Sequence, residues 1–132
     1  TKTRYVNPHG LDSEYHHSSA RDILTLAKAA MAYPEFRARV GTRRYRCKVI
    51  DGNGSRRVLE WTNTNRLLAI EGYIGLKTGT TLRAGSCLVA CAVRGDDNLL
   101  LVVLNSTNRQ GRYVDSRNLY RWAFQQRIAG GK

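Results

Sequence analysis

Two apolar runs in the second half of the chain most constrain its fold. They span residues 87–93 and 99–104, and the polar segment Arg94-Gly95-Asp96-Asp97-Asn98 joins them. Each run has the length of a strand and is too short for an ordinary buried helix. Because nearly every position in both runs is apolar, we predict a hairpin that is buried on most of both faces.

Helices are predicted before this hairpin. Ile23, Ala27, Ala30 and Met31 recur at helical spacing, which predicts a helix near 19–32. Ser19-Ala20-Arg21-Asp22 resembles a capping box at its start, with Asp in place of the usual Glu. Pro34 suits the first position of a second short helix over about 34–40, which Gly41 ends.

The remaining elements are mostly strands. Residues 44–49 alternate, with Tyr45, Cys47 and Val49 on one side and basic residues on the other, which predicts a half-buried strand. The turn Asp51-Gly52-Asn53-Gly54 leads to a return strand over 57–62. A polar loop over 63–66 precedes a short strand over 74–81, and a second polar loop covers 105–110.

The chain closes with a helix over 113–128, which carries Leu119, Trp122 and Ala123 on one side, and with a tail over 130–132. Residues 1–17 are predicted to be irregular. Helices, then strands, then a helix indicate the α+β class, with an antiparallel sheet flanked by helices. We predict a single domain over residues 1–132.

The charge balance indicates possible partners without choosing among them. Lys and Arg number 22 against 10 acidic residues, which gives a net charge of +12. This balance favours nucleic acid, an anionic membrane surface or an acidic cell-wall polymer. Clusters occur over 43–48 and 56–57, but basic residues extend from Arg4 to Arg127, so we interpret them as a generally basic surface.

Neither cysteines nor apolar segments fix the compartment. Cys87 and Cys91 would lie about 13 Å apart on one strand, beyond the reach of a disulfide, and are interpreted as buried free thiols. A bridge from Cys47 to one of them stays open. No run of about 18 apolar residues predicts a spanning helix. A signal peptide is not visible, although one that is cleaved or lies upstream would not be seen.

Lys77-Thr78-Gly79 is the motif that indicates chemistry. A lysine at a strand edge supplies a fixed positive charge, and a threonine hydroxyl can donate to a substrate carboxylate. The glycine allows a substrate backbone to approach closely, and the N–H of Thr80 can bind a developing oxyanion. The same triplet is one of three motifs of penicillin-binding proteins and class A β-lactamases.

Several further segments extend this similarity over residues 3–124. They are Asn7-Pro8-His9-Gly10-Leu11-Asp12, His17-Ser18-Ser19-Ala20-Arg21-Asp22, Lys77-Thr78-Gly79-Thr80-Thr81, Ala84-Gly85 and Leu88-Val89-Ala90. With them the chain resembles the D-alanyl-D-alanine carboxypeptidases, which are low-molecular-mass penicillin-binding proteins of the serine peptidase type. The resemblance implies a partial β-lactamase/transpeptidase-like domain and no metal or organic cofactor.

The resemblance also implies roles for individual residues. Lys77 and Thr80 would be catalytic, with the Thr80 amide completing the oxyanion hole. Thr78, Gly79, Arg66 and Arg112 would bind substrate, and Arg112 would help to hold its terminal carboxylate. An arginine suits that role because its guanidinium pairs with a carboxylate in a bidentate way. Taken without the resemblance, both arginines would be interpreted as surface charge.

The chain departs from the family in its missing motifs. It contains no Ser-x-x-Lys, which carries the nucleophile and the base, and the family's Ser-x-Asn would also lie upstream of Thr1. Ser116-Arg117-Asn118 fits Ser-x-Asn only as text, since it follows Lys-Thr-Gly and falls in a predicted helix. Three possibilities stay open: a fragment, half of a two-piece enzyme, or a truncated relative that only binds.

Two other constellations are weaker. Asp12, His16, His17, Ser18 and Ser19 contain hydrolase residue types, but a serine that starts a helix is more often its cap. His9, His16 and His17 have no carboxylate or thiol at a spacing that supports a metal site.

The sequence therefore predicts one wall of a serine-type D-Ala-D-Ala carboxypeptidase of the cell envelope or a secreted form. Its partners would be a peptidoglycan peptide ending in D-Ala-D-Ala and, with a nucleophile-bearing half supplied, β-lactam antibiotics. The alternatives are a cell-wall peptide-binding remnant and, third, a basic nucleic-acid-binding protein, although no specific nucleic acid is indicated. An uncovered apolar patch on the sheet or beside the first helix, with self-association, is expected if a half is absent.

Overall fold

The computed structural model describes residues 1–130, and most of the predicted tail lies outside the described residues. Nine elements follow one another: α1 (Ala20–Ala30), α2 (Pro34–Gly41), β1 (Arg44–Ile50), β2 (Arg56–Thr62), a short 3-10 helix (Arg66–Ala69), β3 (Tyr73–Thr81), β4 (Gly85–Arg94), β5 (Asp97–Ser106) and α3 (Gly111–Ala129). The α+β class and every predicted helix and strand are confirmed. The 3-10 helix, which begins at the last residue of the predicted polar loop and extends beyond it, was not predicted.

The central sheet has three antiparallel strands in the order β3-β4-β5. The two apolar runs form β4 and β5, which pair from Arg94 with Asp97 to Ser86 with Ser106. The loop between them is shorter than predicted because Arg94 and Asp97 themselves belong to the strands. β3 is one edge of this sheet, so one side of the Lys-Thr-Gly strand is left unpaired.

Helices cover both faces of the sheet. Alternate β4 residues Leu88, Ala90 and Ala92 pack with Leu67 and with the α3 residues Tyr113, Tyr120 and Phe124. The opposite face uses Cys91 and Leu76, which pack with Ala27 of α1 and with Met31, Phe36 and Val40. The alternation of a pleated strand therefore explains why β4 is apolar at nearly every position.

The buried side of α3 differs from the apolar side that the sequence indicated. Leu119 is 43% exposed and Trp122 is 60% exposed. The side that faces the sheet carries Tyr113, Tyr120 and Phe124, together with the fully buried Ser116. The sequence pattern did not reveal this buried side, because tyrosine and serine are not counted as strongly apolar residues.

β1 and β2 form a separate two-stranded sheet. Cys47 and Val49 are half-buried as predicted, but Tyr45 on the same side is 58% exposed, so that part of the prediction is wrong. Among residues 1–130, no other helix or strand packs extensively against this hairpin. Solvent therefore reaches both of its faces.

The N-terminal segment is fixed to the start of α1. Ser19 accepts a hydrogen bond of 3.2 Å from the Asp22 N–H and caps the helix, as predicted. The Asp22 carboxylate does not complete the capping box; it accepts from the Lys2 N–H and the Thr3 hydroxyl, each at 2.7 Å. Arg4 and His17 form an antiparallel bridge. Within residues 1–130, no helix is long and apolar enough to cross a membrane.

All three cysteines are free thiols. Cys91 is buried in the core, whereas Cys47 and Cys87 are partly exposed, so the prediction of burial holds only for Cys91. Cys47 forms no disulfide with Cys87 or Cys91. Burial of Cys91 raises the pKa of its thiol, because an apolar environment disfavours the thiolate.

Candidate active site

The Lys-Thr-Gly segment lies at the unpaired edge of β3. On its paired side, Thr78 is opposite Leu88 and Thr80 is opposite Ser86. Thr78 is buried, whereas Lys77, Gly79 and Thr80 are exposed. The strand therefore presents a positive charge and backbone groups to solvent while one hydroxyl is held in the interior.

Two contacts hold the first residues of this segment. Lys77 Nζ donates to the carbonyl of Thr78. The hydroxyls of Thr78 and Thr64 lie 2.6 Å apart, which ties β3 to the loop after β2. A hydroxyl can donate one hydrogen bond and accept two. The bond between these two hydroxyls therefore fixes the orientation of the Thr78 side chain.

Arg112 reaches the same segment from the first turn of α3. Its Nη1 donates to the carbonyl of Gly79 at 3.1 Å, the hydroxyl of Thr80 at 3.0 Å and the carbonyl of Cys87 at 3.2 Å. The residue is 7% exposed. Its Nε has no hydrogen-bond partner among the described residues. A buried cation is thus held by neutral acceptors at the middle of the motif.

Tyr113 links Arg112 to the loop that carries Thr64. Its hydroxyl donates to the Thr64 carbonyl at 2.9 Å and accepts from Arg112 Nη2 at 3.3 Å. The Arg112 guanidinium also lies 5.0 Å from the centre of the Tyr113 ring, within the range of a cation–π contact. Tyr113 therefore holds the guanidinium both through its ring and through its hydroxyl.

Arg66 is placed differently from Arg112. Its side chain is directed to Gln110, with Nη1 and Oε1 3.5 Å apart, and the residue is exposed. Its backbone N–H lies 3.5 Å from the Tyr113 hydroxyl. Arg66 therefore lines the site but makes no hydrogen bond with Lys77, Thr78 or Gly79.

A groove of about 1250 Å³ lies along this edge. All six predicted site residues, Arg66, Lys77, Thr78, Gly79, Thr80 and Arg112, line it. Its lining also includes α1 and residues 8–11 of the N-terminal segment, which form its N-terminal wall. The predicted residues are thus brought together although 46 positions separate the first from the last.

Asp12 holds the N-terminal wall in place. Its carboxylate accepts from the Thr81 hydroxyl at 2.6 Å and from the Arg83 N–H at 3.2 Å. The bond from Thr81, more than any other influence, holds the pKa of Asp12 below its usual value. Asp12 therefore joins the start of the chain to the end of the Lys-Thr-Gly strand.

Gly79 keeps the groove open. A Cβ atom built on Gly79 would meet nothing within 4 Å, so the packing of this chain does not require a glycine there. A side chain at this position would project into open space beside the motif. The absence of a side chain at Gly79 leaves this space free.

Three supporting residues were not identified from the sequence. They are Thr64, Tyr113 and Asp12 in its observed role. Thr64 and Tyr113 act over separations of 14 and 49 residues, for which no short motif exists. The sequence signal for Asp12 was its position as a lone carboxylate after a cluster of turn residues, in Asn7-Pro8-His9-Gly10-Leu11-Asp12.

The weaker constellations serve local structure. Ser19 is the cap of α1, and His16 Nδ1 accepts from the Val6 N–H at 3.2 Å. Ser116 donates to the Arg112 carbonyl inside α3, so Ser116-Arg117-Asn118 does not face the groove as a motif. No group of His, Cys, Asp or Glu in the described part of the chain could hold a metal ion.

Comparison with known proteins connects this geometry to one family. Residues 1–108 match the family described as D-alanyl-D-alanine carboxypeptidase. The D-alanyl-D-alanine carboxypeptidase of Streptomyces sp. strain K15 is 34% identical over 124 residues, which cover 92% of this chain and 43% of that protein. DacD of Escherichia coli is 36% identical over 128 residues, covering 93% of this chain and 30% of that protein.

Solved structures agree with the fold. A cysteine-to-alanine mutant of the Streptomyces K15 DD-transpeptidase superposes with a TM-score of 0.89 at 34% identity, covering 95% of this chain and 49% of that chain. Penicillin-Binding Protein D2 from Listeria monocytogenes, in its cefotaxime-bound form, gives 0.73 at 29% identity, covering 92% and 48%. The chain thus spans less than half the length of these relatives, and it belongs to the D-alanyl-D-alanine carboxypeptidase family.

Proposed function

We propose that this chain forms the Lys-Thr-Gly wall of a serine-type D-alanyl-D-alanine carboxypeptidase. The substrate class is a peptidoglycan stem peptide that ends in D-Ala-D-Ala. The reaction acylates a serine, releases the terminal D-alanine and then hydrolyses the acyl-enzyme with water. The serine belongs to a nucleophile-bearing segment that is not among these 132 residues, which contain no Ser-x-x-Lys.

The placement of Arg112 is the observation that carries the proposal. A desolvated cation is stabilised best by an anion, yet the acceptors of Arg112 are two carbonyls and two hydroxyls, all of them neutral. A peptide carboxylate in the groove would supply the missing negative charge. The guanidinium fork, together with Thr78, which lines the same groove, suits a terminal carboxylate.

The free edge of β3 supports an oxyanion role for the Thr80 N–H. Within an antiparallel strand, residues two apart direct their N–H and C=O groups to the same edge. The Thr78 carbonyl accepts from Lys77 Nζ, which indicates that this carbonyl points to the unpaired edge of β3. The Thr80 N–H follows the same alternation and would donate to the oxyanion of the tetrahedral intermediate.

Lys77 supplies charge rather than a covalent bond in this scheme. Its exposed side chain lies beside the groove, where a positive charge favours an anionic substrate and the developing oxyanion. Gly79 leaves the strand accessible to the substrate backbone. Lys77 and the Thr80 N–H would therefore act at the carbonyl that is attacked. Thr78 and Arg112 would bind the terminal carboxylate of the same peptide.

We further propose that the chain is part of one domain whose remainder covers the outer edge of β5. Among residues 1–130 no strand pairs with that edge. Leu99, Leu100, Leu101 and Val102 along β5 are only half-buried. A long apolar edge strand is a site for strand addition, and without a covering strand it would favour self-association.

An apolar surface also lies where the sequence led us to expect one, beside the first helix. Leu24 and Leu26 of α1 are 38% and 55% exposed. Leu26 lines the groove, and Leu24 lies at a second groove on the other side of α1. We propose that the nucleophile-bearing part of the domain packs there. As the family relationship suggests, the complete enzyme would act in the cell envelope or as a secreted protein.

Complementation tests the function directly. The chain is combined with the nucleophile-bearing half of the Streptomyces K15 relative, and intact mass is recorded after incubation with benzylpenicillin. We expect one covalent adduct, on the supplied half, and strong loss of acylation in Arg112→Ala and Lys77→Ala. A correctly assembled pair that is not acylated would contradict the proposal. So would an adduct on this chain alone, since it would place a nucleophile within residues 1–132.

A further inference from the structure

The β1–β2 hairpin carries a surface that the proposed reaction does not use. Directly opposed residues of an antiparallel pair share one face. The register places Tyr45 opposite Trp61 and Cys47 opposite Leu59. Together with Val49, these four residues form what we name the aromatic face of the hairpin. Since no other helix or strand packs extensively against the hairpin, this face has no large partner within residues 1–130.

Two aromatic rings dominate that face. Tyr45 is 58% exposed and Trp61 is 51% exposed. Their ring centres lie 6.1 Å apart with an angle of 26° between the planes. This is an offset arrangement, in which both rings keep exposed area. A contiguous apolar area that stays in contact with water is typical of an interaction site, whereas a single exposed ring is not.

Charge is distributed unevenly between the two faces. The side opposite the aromatic face carries Arg44, Arg46, Lys48 and Arg56. Among residues 1–130, only Arg46 of these four has an acidic partner, Glu60 at 2.9 Å. Within β1 and β2, the aromatic face has a single charged residue, Arg57, which pairs with Asp51 at 2.9 Å. The ring platform is therefore nearly neutral, although the protein is strongly basic.

The neutral platform fits a sugar better than other ligands. The C–H groups of a pyranose pack on the electron-rich face of an aromatic ring. Single-stranded nucleic acid needs cations beside the rings to follow its phosphates, and the cations here lie on the opposite face. A membrane is not favoured on this face: the hairpin tip is the polar segment Asp51-Gly52-Asn53-Gly54-Ser55, and its exposed apolar neighbours Ile50 and Val58 lie on the opposite face.

The platform is close to the candidate active site along the chain. Trp61 precedes Thr64 by three residues, and the Thr64 hydroxyl lies 2.6 Å from the Thr78 hydroxyl. Three extended residues span at most about 11 Å. A peptide of four residues, which reaches about 14 Å when extended, would bridge this distance. One molecule that joins a sugar to a short peptide could therefore occupy both places.

We infer that Tyr45 and Trp61 form a subsite for an amino-sugar unit of the glycan strand that carries the stem peptide. This rests on the proposed function and deepens it: the substrate is the polymer, with its sugar on the hairpin and its peptide in the groove. The hairpin binds the glycan without taking part in the acyl transfer. Free peptide lacks the sugar and uses only the groove.

Binding of two separate probes to the 132-residue chain tests the inference. The sugar probe is the hexamer of N-acetylglucosamine, and the peptide probe is diacetyl-lysyl-D-Ala-D-Ala; both are titrated by calorimetry. Trp61→Ala should weaken hexamer binding about tenfold or more, as loss of one stacking ring does, and leave peptide binding unchanged. Trp61→Phe should retain most of the hexamer affinity, which separates loss of the ring from loss of the fold.

Trp122→Ala is the matched control, because Trp122 is 60% exposed but lies on α3. It should change neither affinity. No hexamer binding by the unmodified chain, or binding that Trp61→Ala leaves intact, would overturn the inference. Trp61-dependent binding of oligodeoxythymidine or of anionic phospholipid vesicles, without hexamer binding, would reassign the face to that ligand and overturn it as well.

The two probes also separate this inference from the proposed function. Arg112→Ala should weaken peptide binding and leave hexamer binding unchanged. If Arg112→Ala has no effect on the peptide, the groove assignment fails while the hairpin result stands. If Trp61→Ala has no effect on the hexamer, the hairpin assignment fails while the groove result stands.

Discussion

Arg112 Nη1 lies 3.0 Å from the hydroxyl of Thr80, a contact that spans 32 residues of the chain. The guanidinium is buried and reaches the middle of the Lys-Thr-Gly strand from the first turn of α3. Among residues 1–130, no carboxylate makes a hydrogen bond or ion pair with it that would balance its charge. The contact thus positions a cation that lines the groove without a balancing carboxylate.

Arg112→Ala should weaken binding of a peptide ending in D-Ala-D-Ala about tenfold to a hundredfold. A hydrogen bond to a charged group contributes about 1.5–3 kcal/mol, which corresponds to that range. Arg112→Lys should recover only part of the loss, because an ammonium cannot form the bidentate pair. Calorimetric titration measures both variants.

Arg109→Ala provides the control for this arginine. Arg109 also lines the groove but is exposed. An exposed charge contributes little, so its removal should change the affinity less than about threefold. Equal losses for the two variants would mean that general positive charge, and not the fixed guanidinium, binds the peptide.

Gly79→Ala should separate binding from folding. Because an added Cβ meets nothing within 4 Å, the free energy of unfolding should change by less than about 1 kcal/mol. The methyl group would occupy space beside the motif, so peptide affinity should fall about tenfold. Urea unfolding and calorimetry on the same preparation test both statements.

Gly72→Ala is the contrasting glycine. Gly72 has φ of +83°, and an added Cβ would lie 2.8 Å from the backbone carbonyl of Val93. Left-handed backbone and overpacking each cost about 1–3 kcal/mol, so this variant should be clearly destabilised. If Gly79→Ala is destabilised as much, the space beside Gly79 is not open.

Much of this fold is predictable because its elements have strong local patterns. The runs that form β4 and β5 are apolar at nearly every position, and Pro34 and Ser19 mark helix starts. The buried side of α3 was missed because tyrosine and serine occupy it. A tyrosine ring buries a large apolar area, but its polar hydroxyl means that tyrosine is not counted among the apolar positions of a helical pattern.

The candidate site divides in the same way. The groove-lining residues were identified because Lys-Thr-Gly is contiguous and because the resemblance to a family supplied the two arginines. Thr64 and Asp12 were not identified in their structural roles, since their bonds to Thr78 and Thr81 close over 14 and 69 residues. Contacts of this kind depend on how β2, β3 and the N-terminal segment meet, which no local pattern encodes.

Two aspartates should make the protein less stable in acid. Hydrogen bonds from Thr81 to Asp12 and from Thr3 to Asp22 lower the pKa of each carboxyl in the folded state. Their contribution is complete above the unfolded value of about 3.9 and is lost as pH falls through the lower folded pKa. The free energy of unfolding should therefore decrease below about pH 4.

Asp12→Asn and Asp22→Asn should each flatten this acid dependence, as measured by urea unfolding between pH 3 and pH 7. The control is Asp96→Asn, an exposed residue in the β4–β5 turn. It should leave the slope as it is in the unmodified chain. A slope that responds equally to all three substitutions would indicate net charge instead of these two hydrogen bonds. For Asp12, faster amide exchange over residues 7–12 should accompany the change.

Two buried tyrosines of α3 should respond to loss of their hydroxyls in opposite directions. The Tyr120 hydroxyl is buried and has no hydrogen-bond partner among the described residues. The Tyr113 hydroxyl donates to Thr64 and accepts from Arg112. An unsatisfied buried hydroxyl costs free energy, so Tyr120→Phe should raise the free energy of unfolding by about 1 kcal/mol, while Tyr113→Phe should lower it by about 1–3 kcal/mol.

The alkaline pH dependence gives an independent reading of Tyr120. Burial raises the pKa of Tyr120 above that of an exposed tyrosine, with Cys91 and Tyr73 adding to the effect. The unfolded chain then loses its proton first, so stability is complete below about pH 10 and decreases above it. Tyr120→Phe should remove part of that decrease. Urea unfolding between pH 8 and pH 11 measures it, and an unchanged alkaline slope in Tyr120→Phe would mean that the hydroxyl reaches water in the folded protein.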